Sequence, residues 1–230
     1  MRDRIIPTAA VGEASSSAPH TMARSPLGAD FPAAFPAWKR CLDVAVALPL
    51  LACSVPILGV TAVANRMSGD DGPLFHHALR IGERGRPFQA LKLRTMRIDI
   101  AGSAVTAAGD ARITAVGRFL RNTKLDELPQ LWNVLRGQMS LVGPRPEDPR
   151  FVDWSNPLHR SVFAARPGIT GPAQIQFRHE EELLPAGEIE RTYLERILPA
   201  KLVLDAAYLE HLSLGADLKL LVRTLLAVAR

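Results

Sequence analysis

Cysteine is scarce in this 230-residue chain, which contains only Cys41 and Cys53. Both lie in one apolar segment, and in a helix they would be separated by about 18 Å along the axis. That separation excludes a disulfide within the helix, because bridged residues have neighbouring Cα atoms. The chain therefore has no disulfide framework and fits a reducing compartment.

Several familiar motifs are also missing. The sequence contains no P-loop, dinucleotide fingerprint, serine-centred elbow or zinc-ligand spacing. Aromatic residues make up 6% of the chain and do not interleave with basic residues, so nucleic-acid binding is not expected. The net charge of +5 favours an anionic partner such as phosphate or acidic lipid, although a mildly basic surface also serves solubility.

The chain divides into three parts. Residues 1–37 are rich in Ala, Pro, Ser and Gly without periodicity, which predicts a disordered tail. We predict that residues 38–67 form an apolar membrane segment and that residues 68–230 form a cytosolic domain. The composition and patterns predict a mainly α fold with a small β-hairpin (α+β).

The apolar segment carries no charge over residues 44–64, which is long enough to span a hydrocarbon core. Basic residues flank both ends, and the positive-inside rule would place both ends on the cytoplasmic side. Pro56 lies inside the run, where proline kinks or breaks a helix. We therefore predict a re-entrant helix-break-helix that bends at Pro56. A kinked helix crossing the bilayer and a buried core helix remain alternatives.

A β-hairpin is predicted after this segment, from two β-like runs around Gly82–Gly85. Lys92 and Arg94 are two residues apart on its second arm, which suits either a phosphate clamp or a solvated face. His76 and His77 would point to opposite faces of a strand, so they do not form an obvious metal site.

The stretch from Arg118 to Glu147 contains an acidic pair, Asp126 and Glu127, within a basic cluster. An apolar stripe with helical spacing follows, at Leu128, Leu131, Trp132 and Leu135. Pro129 fits only the first turn, which predicts a helix start near Asp126 and an end at Gly137. The pair can serve as helix cap and first-turn charge, or it can handle a phosphorylated substrate.

Two rigid Pro/Gly turns, at residues 141–147 and 166–172, would aim Arg145 and Arg166. Glu180–Glu182 has the pattern of a solvated charge run. Residues 214–230 are amphipathic, with basic residues on the polar side, which suits an interfacial helix lying on a membrane. A plain amphipathic core helix fits the pattern almost as well.

From Trp38 to its end the chain resembles the bacterial sugar transferases, also called monotopic phosphoglycosyl transferases. The resemblance is carried by WKRCLD (38–43), GPLF (72–75), LKLRTM (91–96), ARITAVGRFLRNTKLDELPQLWNVLRGQMSLVGPRPE (111–147), RPGITG (166–171) and DLKLLVRTLLAV (217–228). The central motif is specific because many positions match in order and spacing.

The resemblance implies transfer of a sugar 1-phosphate from a UDP-sugar to a polyprenyl phosphate such as undecaprenyl phosphate, with release of UMP. It implies a Mg²⁺ cofactor and a monotopic enzyme held on one leaflet, at the cytoplasmic face of the bacterial inner membrane. Such a step initiates the synthesis of exopolysaccharide, capsule, O-antigen of lipopolysaccharide, or a glycoprotein glycan. Candidate further partners are a second copy of the chain in a homodimer and downstream glycosyltransferases.

The resemblance also implies residue roles. Asp126 would be the nucleophile that forms a covalent phosphosugar intermediate, and it would touch the Mg²⁺. Glu127 would assist by positioning or proton handling. The matching basic positions imply phosphate binding by Arg94, Arg121 and Arg145, with Lys92, Arg118 and Arg166 as secondary candidates. A carboxylate can attack phosphorus, provided that cations offset the repulsion between anions.

Three positions depart from the family pattern. Val55 precedes Pro56 where the family often has Ser-Pro, Pro172 replaces a usual aromatic residue, and Ala78 replaces a frequent Gln. The last two bear on sugar or acceptor preference rather than on the reaction type. An alternative function is a non-catalytic, membrane-bound nucleotide-sugar-binding or scaffold protein, against which the intact Asp126–Glu127 pair argues.

Overall fold

The computed structural model describes residues 35–67, 72–97, 105–106, 109–185 and 188–228. The predicted disordered tail lies almost entirely outside these residues and stays a prediction. Within them the fold is mainly helical, with two small two-stranded sheets. The helices are α1 (Ala37–Met67), α2 (Ala115–Asn122), α3 (Gln130–Leu135), α4 (Pro157–Ala164), α5 (Pro172–Gln176), α6 (Ile189–Thr192), α7 (Leu198–Glu210) and α8 (Leu214–Val228).

The apolar segment forms one uninterrupted helix, α1, with Pro49 and Pro56 inside it. The predicted helix break at Pro56 is therefore not present as an interruption, because a proline removes only one helical hydrogen bond. Hydroxyls near Pro56 bond back to the helix: Ser54 Oγ donates to the Leu51 carbonyl (2.7 Å) and Thr61 Oγ1 to the Ile57 carbonyl (2.9 Å). Such bonds commonly accompany helix bending, and the re-entrant path stays a prediction.

The predicted hairpin is confirmed. Strands β1 (Phe75–Ile81) and β2 (Pro87–Leu93) pair antiparallel, with Ala78 opposite Ala90 at the centre. Ala78, which departs from the family pattern, is buried together with Ala90 on the core face of the hairpin.

A second sheet was not predicted. Strands β3 (Ser140–Val142) and β4 (Gly168–Thr170) are parallel and lie in the segments that the sequence presents as rigid turns. A Cβ atom on Gly168 would lie 2.1 Å from the backbone nitrogen of Gly143, so this approach requires glycine. The sheet sets the position of the Gly143–Glu147 turn that carries Arg145.

Two hydrophobic clusters form the core. The first joins α1, the hairpin, α3 and β3, and includes Ala47, Ala90, Leu131, Val134, Met139 and Val142. The second lies under α4, α7 and the turn that precedes α7, and includes Val162, Phe163, Tyr193, Leu198 and Leu202. Trp132, expected in the apolar stripe of α3, is 48% exposed and does not belong to either cluster.

The first turns of α1 are fixed to the rest of the described chain by charged side chains. Arg40 donates to the carbonyls of Val134 (2.6 Å) and Leu135 (2.7 Å), which satisfies the C-terminal end of α3. Asp43 accepts hydrogen bonds from Leu141 N (2.9 Å) and from the Ser140 hydroxyl (3.0 Å). Asp43 is thereby fixed to β3, and its neighbour Lys39, one helical turn earlier, has a different partner.

Lys39 instead forms an ion pair with Asp217 of α8, and both side chains are fully buried. Lys39 Nζ also donates to the Tyr208 hydroxyl (3.1 Å), and that hydroxyl donates to Asp217 (2.6 Å). Because these residues belong to α1, α7 and α8, the network ties both ends of the described chain to one point.

Large apolar side chains of α1 and α8 are exposed. On α8 they fall on one face at Leu214, Leu218, Val222 and Leu225, while Asp217 and Leu220 are buried on the other. Lys219 and Arg223 are exposed on the same helix. On α1 the exposed set comprises Val44, Leu48, Leu50, Val55, Ile57, Val60 and Val63. The helix Ala37–Arg66 is long and apolar enough to cross a membrane by length and composition. Apolar faces of this extent mark contact surfaces.

Candidate active site

The acidic pair lies in a single 3₁₀ turn, Leu125–Glu127, between α2 and α3. Lys124, immediately before it, has the left-handed backbone conformation (φ 57°) that reverses the chain there. Helix α3 begins only at Gln130, with Pro129 as its capping residue, so the predicted start near Asp126 is wrong. Gly137 follows the helix with φ +77°, so the predicted end is confirmed. Asp126 therefore does not cap α3.

Asp126 is buried, and its Oδ1 atom has no hydrogen-bond partner among the described residues. Burial raises the pKa of its carboxyl group, and the neighbouring charge of Glu127 adds to the increase against the opposing effect of Lys92. A carboxylate with a raised pKa is more basic, and a free oxygen that is kept from other hydrogen bonds is available to a ligand or an electrophile.

Glu127 differs from its neighbour. Its Oε1 accepts a hydrogen bond from Lys92 Nζ at 2.8 Å. Burial disfavours its charge, but the charges of Lys92 and Arg145 together prevail and lower its pKa to about 2. Glu127 therefore stays ionised at neutral pH. The two adjacent carboxyl groups thus have opposite pKa shifts, a pattern that recurs where two carboxyl groups have different roles.

Strand β2 and helix α2 supply the basic groups on one side of the pair. Arg121 donates from Nε to the Thr95 hydroxyl at 2.8 Å, which fixes its guanidinium. Helix α2 packs so closely that a Cβ on Gly117 would lie 2.0 Å from the Thr95 carbonyl oxygen. Arg94, just before Thr95, is also buried.

The six predicted phosphate-binding residues do not all lie next to the Asp126–Glu127 pair. The charges of Lys92 and Arg121 act on Asp126, and those of Lys92 and Arg145 act on Glu127. Arg166, which precedes β4 in the chain, instead forms an ion pair with Glu83 (Nη2–Oε2 2.9 Å). Arg118 is exposed on α2. Lys124, which was not among the predicted site residues, also acts on Asp126.

The environment of Glu180 is the main feature that was predicted wrongly from the sequence. Expected in a solvated charge run, it contacts the buried Lys201 and lies 3.7 Å from Arg145 (Oε1–Nη2). Its partners are 35 and 21 positions away along the chain, so no local pattern could have indicated them. Arg145 is also fixed through its backbone nitrogen, which donates to Asp205 Oδ2 at 3.1 Å. Burial raises the pKa of Asp205 to about 7.

The donor set of the pair suits a magnesium ion that is shared with a phosphorylated ligand. The described residues contain no group of three or more His, Cys, Asp or Glu that could hold a metal by themselves. Mg²⁺ commonly binds through one or two carboxylates, together with substrate phosphates and water. Asp126, with its free oxygen, and the adjacent Glu127 offer that number of carboxylates.

Comparison with known proteins identifies the family. The family model of the bacterial sugar transferases matches residues 35–230. A UDP-glucose:undecaprenyl-phosphate glucose-1-phosphate transferase of Caulobacter vibrioides is 41% identical over 191 residues, which cover 81% of this chain and 67% of the relative. A UDP-N-acetylgalactosamine-undecaprenyl-phosphate N-acetylgalactosaminephosphotransferase of Aeromonas hydrophila is 32% identical over 192 residues, covering 81% of this chain and 42% of the relative.

The match to some other relatives covers less of their length. An undecaprenyl-phosphate glucose phosphotransferase of Komagataeibacter xylinus is 35% identical, and the matched part is 35% of its length. The family model itself covers the acidic pair, β3, β4 and the C-terminal helices, because it matches residues 35–230. This chain belongs to the bacterial sugar transferase family.

Proposed function

We propose that the chain transfers a sugar 1-phosphate from a UDP-sugar to polyprenyl phosphate, with undecaprenyl phosphate as the acceptor, and releases UMP. The observation that carries this proposal is the Asp126 carboxyl group, which is buried, has a free oxygen among the described residues and is surrounded by cations. The printed names of the relatives supply the substrate classes. The product would begin the assembly of exopolysaccharide or capsule.

In the first step an Asp126 carboxylate oxygen attacks the phosphorus that carries the sugar. A new oxygen–phosphorus bond forms, and the bond from that phosphorus to the bridging oxygen breaks. UMP leaves with the electron pair, and the sugar phosphate remains on Asp126 as an acyl phosphate. Lys92, Arg121 and Arg145 offset the negative charge of the diphosphate as the anionic nucleophile approaches.

In the second step a phosphate oxygen of polyprenyl phosphate attacks the same phosphorus. The acyl oxygen–phosphorus bond breaks, which restores the Asp126 carboxylate and yields polyprenyl diphosphate sugar. Glu127 accepts a hydrogen bond from Lys92, and the charges of Lys92 and Arg145 lower its pKa, so it favours the ionised form and can orient these two cations. A bound Mg²⁺ would supply charge neutralisation at the phosphates, with Asp126 and Glu127 as its protein ligands.

The membrane supplies the lipid substrate, and α1 is its contact in this proposal. Along the outer half of α1 the polar residues Ser54, Thr61 and Asn65 fall on one helical face and are buried, while Val55, Val60 and Val63 are exposed. A buried polar face that extends on both sides of Pro56, together with an exposed apolar face, supports a helix that bends back toward the domain. The apolar face of α8 would lie at the same cytoplasmic surface of the inner membrane.

The re-entrant path predicts that both ends of α1 lie on the cytoplasmic side. Single cysteines introduced by Ala37→Cys or Ser68→Cys, after replacement of the exposed Cys41 and Cys53, should both react with an impermeant maleimide in inside-out vesicles and not in right-side-out vesicles. Labelling of the two positions from opposite sides would establish a membrane-crossing helix instead.

The proposed reaction is tested by measuring UMP release from a panel of UDP-sugars with undecaprenyl phosphate and Mg²⁺. We expect release with at least one sugar, dependent on the lipid phosphate for repeated turnover. Binding of UDP-sugars without UMP release across the panel would contradict the transferase and would favour the nucleotide-sugar-binding or scaffold function.

A further inference from the structure

Glu180 lies between two cations that belong to different elements. One carboxylate oxygen contacts Lys201 Nζ on α7, and the other lies 3.7 Å from Arg145 Nη2. The Lys201 side chain is 3% exposed, whereas the Arg145 side chain is 37% exposed. Glu180 therefore neutralises a buried lysine and attracts the arginine at a distance that is too long for a hydrogen bond. The Arg145 charge is left available to a ligand.

Two carboxylates lie close enough to act on the Arg145 charge. Glu180 and Glu127 are the charged groups that act most strongly on it. Its backbone cannot adapt freely, because Pro144 and Pro146 flank it and its N–H donates to Asp205. Because the backbone is fixed, only the side-chain torsions of Arg145 can move its guanidinium group between the side of Glu180 and the side of Glu127.

Lys201 holds Glu180 in place through a buried network. Lys201 Nζ donates to the Tyr193 hydroxyl at 3.4 Å, and this hydroxyl donates to Glu147 Oε2 at 2.6 Å. The network links the turn that contains Glu180 (Glu180–Leu183) with α7 and with the turn after β3. This network therefore fixes the position of the Glu180 carboxylate relative to Asp126 and Glu127.

We propose that Glu180, anchored by Lys201, is a positioning residue that holds the Arg145 guanidinium away from Glu127 and open to the diphosphate of the nucleotide substrate. The proposal rests on the function proposed above. Without the Glu180 charge, Arg145 would fold onto Glu127. The diphosphate would then lose a cation that it needs for binding.

The test measures binding of UDP, which carries the diphosphate without depending on the sugar, to the full chain in lipid nanodiscs with Mg²⁺. Glu180→Gln removes the charge, and Glu180→Asp keeps it. The variant Glu180→Gln/Lys201→Met removes the whole buried pair, so that no buried lysine is left uncompensated if the single variant fails to fold. Each change is also combined with Arg145→Met to form a double-mutant cycle.

We expect UDP to bind about tenfold more weakly to Glu180→Gln and to the pair variant, which is the scale of one charge-assisted hydrogen bond. Glu180→Asp should recover most of the affinity. In the Arg145→Met background, loss of Glu180 should have no further effect, because Glu180 acts through Arg145.

Unchanged affinity in the folded pair variant, or effects that add to those of Arg145→Met, would overturn the proposal. Tighter UDP binding would also overturn it, because Glu180 would then compete with phosphate for Arg145. Failure of the proposed function is distinguished by a different result, the absence of UMP release by the unaltered chain, and would remove the basis of this inference as well.

Discussion

Asp126→Asn should lower the rate of UMP release by at least about a thousandfold, the scale seen when a nucleophile is removed from an enzyme. An amide oxygen is a poor nucleophile and carries no charge, so the acyl phosphate cannot form. UMP release is measured with the preferred UDP-sugar, undecaprenyl phosphate and Mg²⁺. Asp153→Asn, the same change in an exposed loop before α4, is the matched control and should leave the rate unchanged.

The same substitution should not unfold the protein. Burial raises the pKa of Asp126, so its ionised form is disfavoured by the fold, and this cost is present at neutral pH, above the ordinary pKa of an aspartate. Asp126→Asn removes that cost, and the melting temperature should equal or exceed that of the unaltered chain. A folded Asp126→Asn protein that keeps a tenth or more of the turnover would exclude Asp126 as the nucleophile.

The second large effect is expected at the buried ion pair between α1 and α8. Lys39→Met should lower the free energy of unfolding by about 3–5 kcal/mol, because Asp217 would remain buried without its counter-ion. Asp217→Leu should have a similar cost. The double variant Lys39→Met/Asp217→Leu should recover much of the loss, since a well-packed apolar pair can replace a buried ion pair.

Thermal or denaturant unfolding in one fixed detergent or nanodisc provides the measurement. Arg150→Met is the matched control, because Arg150 pairs with Asp148 while its side chain is 63% exposed, and such pairs contribute about 1 kcal/mol or less. If the costs of Lys39→Met and Asp217→Leu simply add in the double variant, the two residues do not act as a pair.

Local features of the fold could be predicted from the sequence because they depend on neighbouring residues. The hairpin follows from two β-like runs around a glycine-containing loop, and the end of α3 follows from Gly137, whose positive φ suits glycine. Helix α8 follows from its periodicity, but the pattern alone did not decide between a core and an interfacial position. The exposure of Leu218 and Val222 favours the interfacial position.

Features that depend on distant residues could not be predicted in this way. Strands β3 and β4 are three residues long and pair in parallel across an intervening helix, so Pro and Gly dominate their local pattern. Lys39 forms its ion pair with Asp217, near the other end of the chain, although Asp43 lies only one helical turn from Lys39. A helix break was predicted at Pro56, but helix α1 continues through this residue.

The residues of the candidate site divide in the same manner. Asp126 and Glu127 stand out through their motif, but their opposite pKa shifts depend on burial and on Lys92 of a different element. Arg166 has the same rigid-turn context as Arg145, yet it pairs with Glu83. A rigid turn therefore indicates that the backbone of a residue is fixed, but it does not indicate which group the side chain contacts.

The most direct test of the account is to trap the covalent intermediate. The protein is incubated with its UDP-sugar and Mg²⁺ in the absence of lipid phosphate, quenched, and measured by intact and peptide mass spectrometry. We expect a gain of one sugar phosphate on the peptide that contains Asp126, its loss on addition of undecaprenyl phosphate, and no gain in Asp126→Asn. A sugar phosphate on any other residue, or full turnover without an adduct on Asp126 at any time, would contradict it.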